Sequence, residues 1–521
     1  MTQKYFPIVS YAVQSGGPVL SGLMLDNGPA LVMAHLLEAG YSPVFFDFNN
    51  VRSIREISEE GKERFLNNCV NELEDYIKST GSKVIAFKVY ANGVRDSIRI
   101  AEELKQRNKG LIIAGTGPQV AIFREEIFRF TAAFDVLVLG EGEATAIPLA
   151  DFAYRNAPLS SVPNLIYKDD GDIKKTRIQY ADLNELRFPV YSKEFYPSIG
   201  DKIFIPVVVD SKGCYYGKCS FCNHENLGGI YRSRKVEKLV EETEFNKKEH
   251  GIKVSRLSGN PSPKYLNELL RSLPEGQRIS AFGKISMDYQ FDVLADRLIG
   301  LFCGLESTDS RILAEIYGKT RNIEEYLSDA NKLAHEMKGI GIPTIFSMIV
   351  PSPFETELST QRSIDFIVNA NPDFVPALPI GIFPNTALMQ RAVNEGAKSG
   401  VLLDKDYMEK WMFFELDLLK PPQEWPVQPY EIVVNENLTR DIFGVTQRFL
   451  GALAEHGIRP LSDEIVLMAH LYYNGLSKSQ DERRKQCIDF NNMCRKAIQE
   501  GDWRLLEEIK NSINNNQRSG D

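Results

Sequence analysis

Two long stretches of this chain alternate short apolar runs with amphipathic, helix-like segments, and this alternation limits the possible folds more than any other feature. In the first stretch the apolar runs are Tyr5 to Val13, Pro43 to Asp47, Lys83 to Lys88, Leu111 to Ala114 and Ala133 to Leu139. Helical spacing marks Gly28 to Gly40, Glu72 to Ser79 and Val94 to Gly110 between them. Near-continuous apolar strands joined by helices predict an α/β fold, a doubly wound parallel sheet covered on both faces. Ligands of such sheets bind beyond the strand carboxyl ends. Here those ends carry two glycine turns, Gly115-Thr116-Gly117-Pro118 and Gly140-Glu141-Gly142-Glu143. Glycine permits close backbone approach to a ligand, although it also ends many strands for structural reasons alone. A hairpin, Leu165 to Lys168 with Lys174 to Arg177, follows within the connector Asp151 to Leu186.

The pattern restarts with Ile203 to Val209, Val254 to Ser258, Arg278 to Ser286, Leu298 to Gly304, Pro343 to Val350 and Phe374 to Phe383. Helices such as Lys264 to Leu273 and Ile323 to Met337 lie between. Six strand–helix units predict a partial (β/α)6 barrel, open on one side. The remainder reads as helical: Asp404 to Leu419, Asn437 to Gly457, Ser462 to Gly475, Lys478 to Gly501 and Asp502 to Ile513. A proline-rich link, Lys420 to Pro429, interrupts it, and the polar tail Asn514 to Asp521 reads as frayed. The expected domains are therefore 1–185, 186–400 and 401–521.

Composition narrows the function classes. A net charge of −9 argues against a general nucleic-acid-binding surface. No apolar run approaches the ~18 residues that cross a membrane, and the first residues lack a signal-peptide core. Seven cysteines, three of them clustered, do not form a secreted disulfide framework. Cys487 and Cys494, two turns apart on one helix, read as ordinary thiols. The expected setting is the cytoplasm.

The clustered cysteines, Cys214, Cys219 and Cys222, leave the first strand of the second series in the stretch KGCYYGKCSFC. Such loops carry the chemistry of barrel enzymes. Two metal readings compete. Zinc needs four ligands, and His224 would complete a Cys₃His set. An iron–sulfur cluster held by three thiolates keeps one iron open to a substrate. Tyr215, Tyr216 and Phe221 favour the cluster, because they can bury a cofactor against aromatic rings. Structural zinc loops more often use two separated cysteine pairs.

The loop resembles that of the radical S-adenosylmethionine (SAM) enzymes, which usually read C-x3-C-x2-C with an aromatic before the last cysteine. Here the spacing is C-x4-C-x2-C, the extra residue being absorbed as a bulge. The resemblance covers the whole second series. Gly304-Leu305-Glu306-Ser307, followed by Asp309, Leu313 and Lys319, is similar to the family's fourth-strand region. Ile349 to Glu357 and Phe383-Pro384-Asn385-Thr386 are similar to its later turns. Gly259-Asn260-Pro261 lies where the family often contacts the SAM amino group. Glu306 reads as a polar contact to SAM or substrate, or as a buried carboxylate paired within the barrel. Lys284, at the end of the third strand, reads as a solvated strand terminus rather than a carboxylate-binding group.

The first series resembles the cobalamin-binding domain fused to one large subfamily of these enzymes, through its glycine turn and Asp135 to Glu143 (DVLVLGEGE). Some such domains carry D-x-H-x-x-G, whose histidine ligates cobalt. This chain has no such motif, and His35, inside a helix, reads as a packed or exposed residue. Cobalamin would therefore bind without a histidine ligand.

The resemblance implies a set of cofactors: a [4Fe–4S] cluster on Cys214, Cys219 and Cys222, SAM, and cobalamin. Phe221, Gly259, Asn260, Glu306 and Ser307 would contact the first two, and Gly115, Thr116, Gly117, Gly140 and Glu141 the third. One electron would cleave SAM to methionine and a 5′-deoxyadenosyl radical, which takes hydrogen from unactivated carbon. The implied reaction is methylation of such a carbon in a peptide or small biosynthetic intermediate. The alternatives are radical rearrangement or cyclisation, or a zinc or iron–sulfur binding protein without SAM chemistry. A reducing partner such as flavodoxin or ferredoxin is implied, with neither nucleic acid nor membrane.

Overall fold

The structure, a computed structural model, describes residues 3–12, 21–49, 59–416 and 422–518. The expected strand end at Val13, residues 417–419 of the expected helix, 420–421 of the proline-rich link and 519–521 of the tail lie outside them.

The chain divides into two compact units. The first comprises Met1–Phe204, Asn226–Gly228 and Met408–Pro426. Its strands are β1 (Tyr5–Tyr11), β2 (Ser42–Asp47), β3 (Val84–Val89), β4 (Ile112–Thr116), β5 (Val136–Val138), β6 (Leu165–Asp169) and β7 (Asp172–Lys175). They form one sheet in the order β2-β1-β3-β4-β5-β6-β7. β1 to β5 pair in parallel, and the β6–β7 hairpin adds antiparallel strands at one edge. Consecutive β1 residues from Phe6 onward are buried, so both faces of the sheet are covered. Helix Val94–Arg107 shows how the cover forms: Val94, Ile98, Ala101 and Leu104 recur at helical spacing and are buried. β1 lies between β2 and β3, so the winding reverses there. Open α/β sheets bind ligands beside such a reversal.

The second unit comprises Ile205–Glu225, Gly229–Tyr407 and Val427–Asp521. Its strands are β8 (Val207–Val208), β9 (Ser211–Lys212), β10 (Arg232–Ser233), β11 (Val254–Leu257), β12 (Arg278–Gly283), β13 (Leu298–Glu306), β14 (Thr344–Ile349), β15 (Ala377–Leu378), β16 (Val401–Leu403), β17 (Tyr430–Val434) and β18 (Asn437–Thr439). Six form a parallel sheet in the order β15-β14-β13-β12-β11-β8. Each lies beside the next in sequence, with helices crossing between. Leu301, Cys303 and Phe346 of the strands pack with Leu269, Leu333 and Met337 of the helices in one core. The two edge strands are shorter than the apolar runs Ile203 to Val209 and Phe374 to Phe383 suggested, two residues each.

The C-terminal portion departs from the helical expectation. β16, β17 and β18 form an antiparallel sheet there. Asn437–Thr439, expected as helix, is a strand because Asn435 and Glu436 both take positive φ, +49° and +64°. That is the two-residue turn that closes a tight hairpin. The helix begins only at Ile442. Asn514 to Arg518, expected as frayed, continue helix Trp503–Arg518. Gln517 is wholly buried and bonds both backbone groups of Val254, at 2.9 and 2.7 Å. Arg483, on helix Gln480–Glu500, reaches Asp373 at 2.6 Å with both side chains buried. Asp373 in turn accepts the Thr344 N–H at the start of β14.

Candidate active site

The cysteine loop is built between β9 and β10, which pair antiparallel as Lys212 with Arg232 and Ser211 with Ser233. Within the C-x4-C spacing, Gly217 takes a φ of +59°. L side chains rarely adopt that conformation. The loop then docks on the turn Ile316 to Gly318. Ser220 N–H donates to Tyr317 O at 2.9 Å, the Ser220 hydroxyl to Ile316 O, and Tyr216 OH to Gly318 O. Phe221 stands edge-on to Tyr317, ring centroids 4.7 Å apart.

Cys214, Cys219 and Cys222 are unbridged and half-buried, and all three line one cavity of about 420 Å³. Three thiols lining one cavity fit a cluster, in which each thiolate binds a different iron and the fourth stays open. His224 also lines the cavity, and its N–H donates to Cys222 Sγ at 3.5 Å.

Phe221, Gly259, Asn260 and Glu306 line the same cavity. Asn260 Oδ1 is buried without a hydrogen-bond partner. An acceptor left open at a cavity wall suits a ligand that brings N–H donors. Glu306 ends β13 at φ +68°, where the register to β14 shifts, and its Oε1 accepts from Lys319 Nζ at 3.0 Å. Ser307 is placed differently. It is not at the cavity wall, and its hydroxyl instead accepts the Asp309 N–H at 3.1 Å.

Electrostatics matter because thiolates, not thiols, bind metal. Burial pushes the Cys219 thiol up to about 11, and the Lys319 cation opposes that rise. Burial works against Lys319 itself, but Glu306, Tyr326 and Cys219 outweigh it and raise its pKa. Lys284 is not the solvated terminus expected. Its ammonium lies 3.3 Å from the Tyr215 ring centroid and 4.7 Å from that of Tyr216, at the cavity wall. Burial lowers its pKa to about 8, with Cys214 opposing. Sequence reasoning missed Tyr326, which reaches the cavity from helix Ile323–Gly339 and donates to Gly304 O at 2.9 Å. On a helix read as packing, nothing local marked it.

In the first unit, Gly115 and Thr116 end β4, and Gly117 turns into helix Pro118–Phe123 at φ +94°. Gly140 follows β5 at φ +71°. Glu141 is buried, and its Oε2 accepts the Ala181 N–H at 2.7 Å, so this carboxylate holds the connector. His35 Nε2 accepts the Arg187 N–H at 3.4 Å, in keeping with a packed helix residue.

No family model matches the chain. It is 25% identical over 336 residues to an uncharacterized methyltransferase of Pyrococcus horikoshii, covering 62% of this chain and 72% of that protein. A putative methylthiotransferase of Methanocaldococcus jannaschii is 29% identical over 327 residues, 56% of this chain and 66% of that one. The 2-(S-pantetheinyl)-carbapenam-3-carboxylate methyltransferase of Streptantibioticus cattleyicolor is 25% identical over 337 residues, 59% of this chain and 48% of that one. Among solved structures, the radical SAM methyltransferase TsrM of Kitasatospora setae, with cobalamin and a [4Fe–4S] cluster bound, superposes with a TM-score of 0.68. The sequences are 14% identical, and the match covers 95% of this chain and 100% of that one. The cobalamin-dependent SAM radical enzyme OxsB, with aqua-cobalamin and SAM bound, matches with a TM-score of 0.58 at 14% identity, over 98% of this chain and 81% of that one. No helix among the described residues is long and apolar enough to cross a membrane. In fold the chain is similar to the cobalamin-binding radical SAM enzymes, and its sequence relatives and cysteine loop point the same way.

Proposed function

We propose that the chain methylates an unactivated carbon of a peptide or small biosynthetic intermediate, using a [4Fe–4S] cluster, SAM and cobalamin. The observation that carries this reading is the meeting of Cys214, Cys219 and Cys222 with Gly259, Asn260 and Glu306 on one cavity wall. When bound, the cofactors supply reductive cleavage of SAM and a transferable methyl group. The chain's own residues bind, orient and exclude water. The three thiolates hold the cluster, and Lys319 offsets their charge. Asn260 Oδ1 accepts from the SAM amino group. Glu306, held by Lys319, provides a second polar contact. Phe221 and the Phe282–Phe302 pair, 5.2 Å apart, make the wall apolar. In the first unit, the Gly115-Thr116-Gly117 and Gly140 turns at the strand ends would lie against cobalamin, with Glu141 fixing the second turn. A flavodoxin or ferredoxin supplies electrons.

The test is anaerobic reconstitution with cobalamin, reductant and CD₃-labelled SAM. S-adenosylhomocysteine and 5′-deoxyadenosine should both form, with the label on the methyl acceptor. Deoxyadenosine without label transfer would move the reading to rearrangement or cyclisation. Zinc in place of iron would move it to a binding protein.

A further inference from the structure

Asp210 lies just beyond β8, four residues before Cys214, and is wholly buried. Its backbone carbonyl accepts the Arg234 N–H at 2.8 Å, from the segment that returns after the loop. Its carboxylate accepts the Gly259 N–H at 2.6 Å and the Ser211 hydroxyl at 2.9 Å. No ion pair to it is found among the described residues. Burial raises its pKa to about 6, and the Gly259 and Ser211 bonds work against the rise. A buried carboxylate held by neutral donors costs stability that a structural role alone does not require.

The approach to Gly259 is tight. A methyl group on its Cα would fall 2.7 and 2.9 Å from the two carboxylate oxygens of Asp210, and closer still to Ser211 Oγ. A side chain at Gly259 would therefore displace Ser211 first and the Asp210 carboxylate with it. The next residue is Asn260, whose Oδ1 is the open acceptor of the cavity wall.

We infer that Asp210 is a positioning residue: its carboxylate locks the Ser258–Gly259–Asn260 turn so that Asn260 Oδ1 is presented to an N–H of the α-amino group of SAM. This rests on the SAM reading proposed above. It joins the returning segment of the cluster loop and the SAM-binding turn through one residue, since the Asp210 backbone carbonyl accepts from Arg234 while its carboxylate accepts from Gly259.

The test uses the full chain, reconstituted anaerobically, and measures iron content and equilibrium binding of SAM and of its analogue lacking the α-amino group. Asp210→Ala should keep its iron yet bind SAM roughly tenfold more weakly, as expected for a lost hydrogen bond to a charged group. Its preference for SAM over the desamino analogue should shrink by the same factor. Asp210→Asn keeps an oxygen for the Gly259 N–H and should stay within about threefold of wild type. Gly259→Ala, which keeps the Asp210 side chain but forces the turn away from Ser211 and Asp210, should lose the same preference, and it serves if Asp210→Ala does not fold. An undiminished preference in Asp210→Ala or Gly259→Ala overturns the inference alone. Wild-type protein that binds no SAM overturns the functional reading and the inference with it.

Discussion

Lys319 Nζ lies 3.0 Å from Glu306 Oε1, joining the turn that holds the cysteine loop to the end of β13. Neither side chain is much exposed, 20% and 11%. Removing one partner of such a pair leaves a charge without its counter-ion, at a cost of about 3 kcal/mol when burial is deep and less here. Lys319→Met should lower the denaturation midpoint and the iron retained after reconstitution. Lys319→Met combined with Glu306→Gln should recover much of the stability but not the iron, because Lys319 also opposes the raised thiol pKa of Cys219. Equal iron in the single and double variants and wild type would show that the cation is irrelevant to the thiolates.

The Arg483–Asp373 pair is buried more completely, at 0% and 1% exposure. Asp373→Ala leaves the guanidinium inside the protein unpaired, and Arg483→Ala does the same to the carboxylate. Each should destabilise by roughly 3–5 kcal/mol in urea unfolding. Replacing both with apolar residues of similar volume should cost much less.

Acid should weaken the second unit through His470. Burial, helped by Arg278, depresses its pKa to about 3, against about 6.5 in an unfolded chain. The folded state then refuses a proton that the unfolded state takes. This contribution is whole above pH 6.5 and is lost as pH falls from there towards 3, about 2 kcal/mol by pH 5. His470→Gln should flatten the decline in melting temperature between pH 7 and pH 5. An unchanged slope would place the acid sensitivity elsewhere.

Strand and helix order could be read along the chain because periodicity is a local property, and the cysteine loop because three thiols so close together need a reason. The parts not legible depend on distant partners. Lys284 looks like a surface strand end until Tyr215 and Tyr216 cover it. Gln517 looks like a tail residue until β11 offers its Val254 backbone. The Asn435–Glu436 turn was hidden because glutamate seldom takes positive φ. Ser307 sits beside Glu306 in sequence, yet only Glu306 reaches the cavity, since the backbone turns at its positive φ.

Cobalamin bound to the first unit should lack a histidine on cobalt, because His35 is engaged with the Arg187 backbone. Electron paramagnetic resonance of the Co(II) form should show no nitrogen superhyperfine splitting. A three-line splitting lost in His35→Ala would contradict this.

The central claim is that Cys214, Cys219 and Cys222, without His224, hold a cluster that cleaves SAM. The direct measurement is 5′-deoxyadenosine release, alongside iron content, in anaerobically reconstituted protein with SAM and dithionite. Wild type and His224→Ala should release deoxyadenosine and carry about four irons per chain, while Cys→Ala at any of the three positions should lose both. Deoxyadenosine release that survives a cysteine substitution, or iron lost from a folded His224→Ala, would contradict the account.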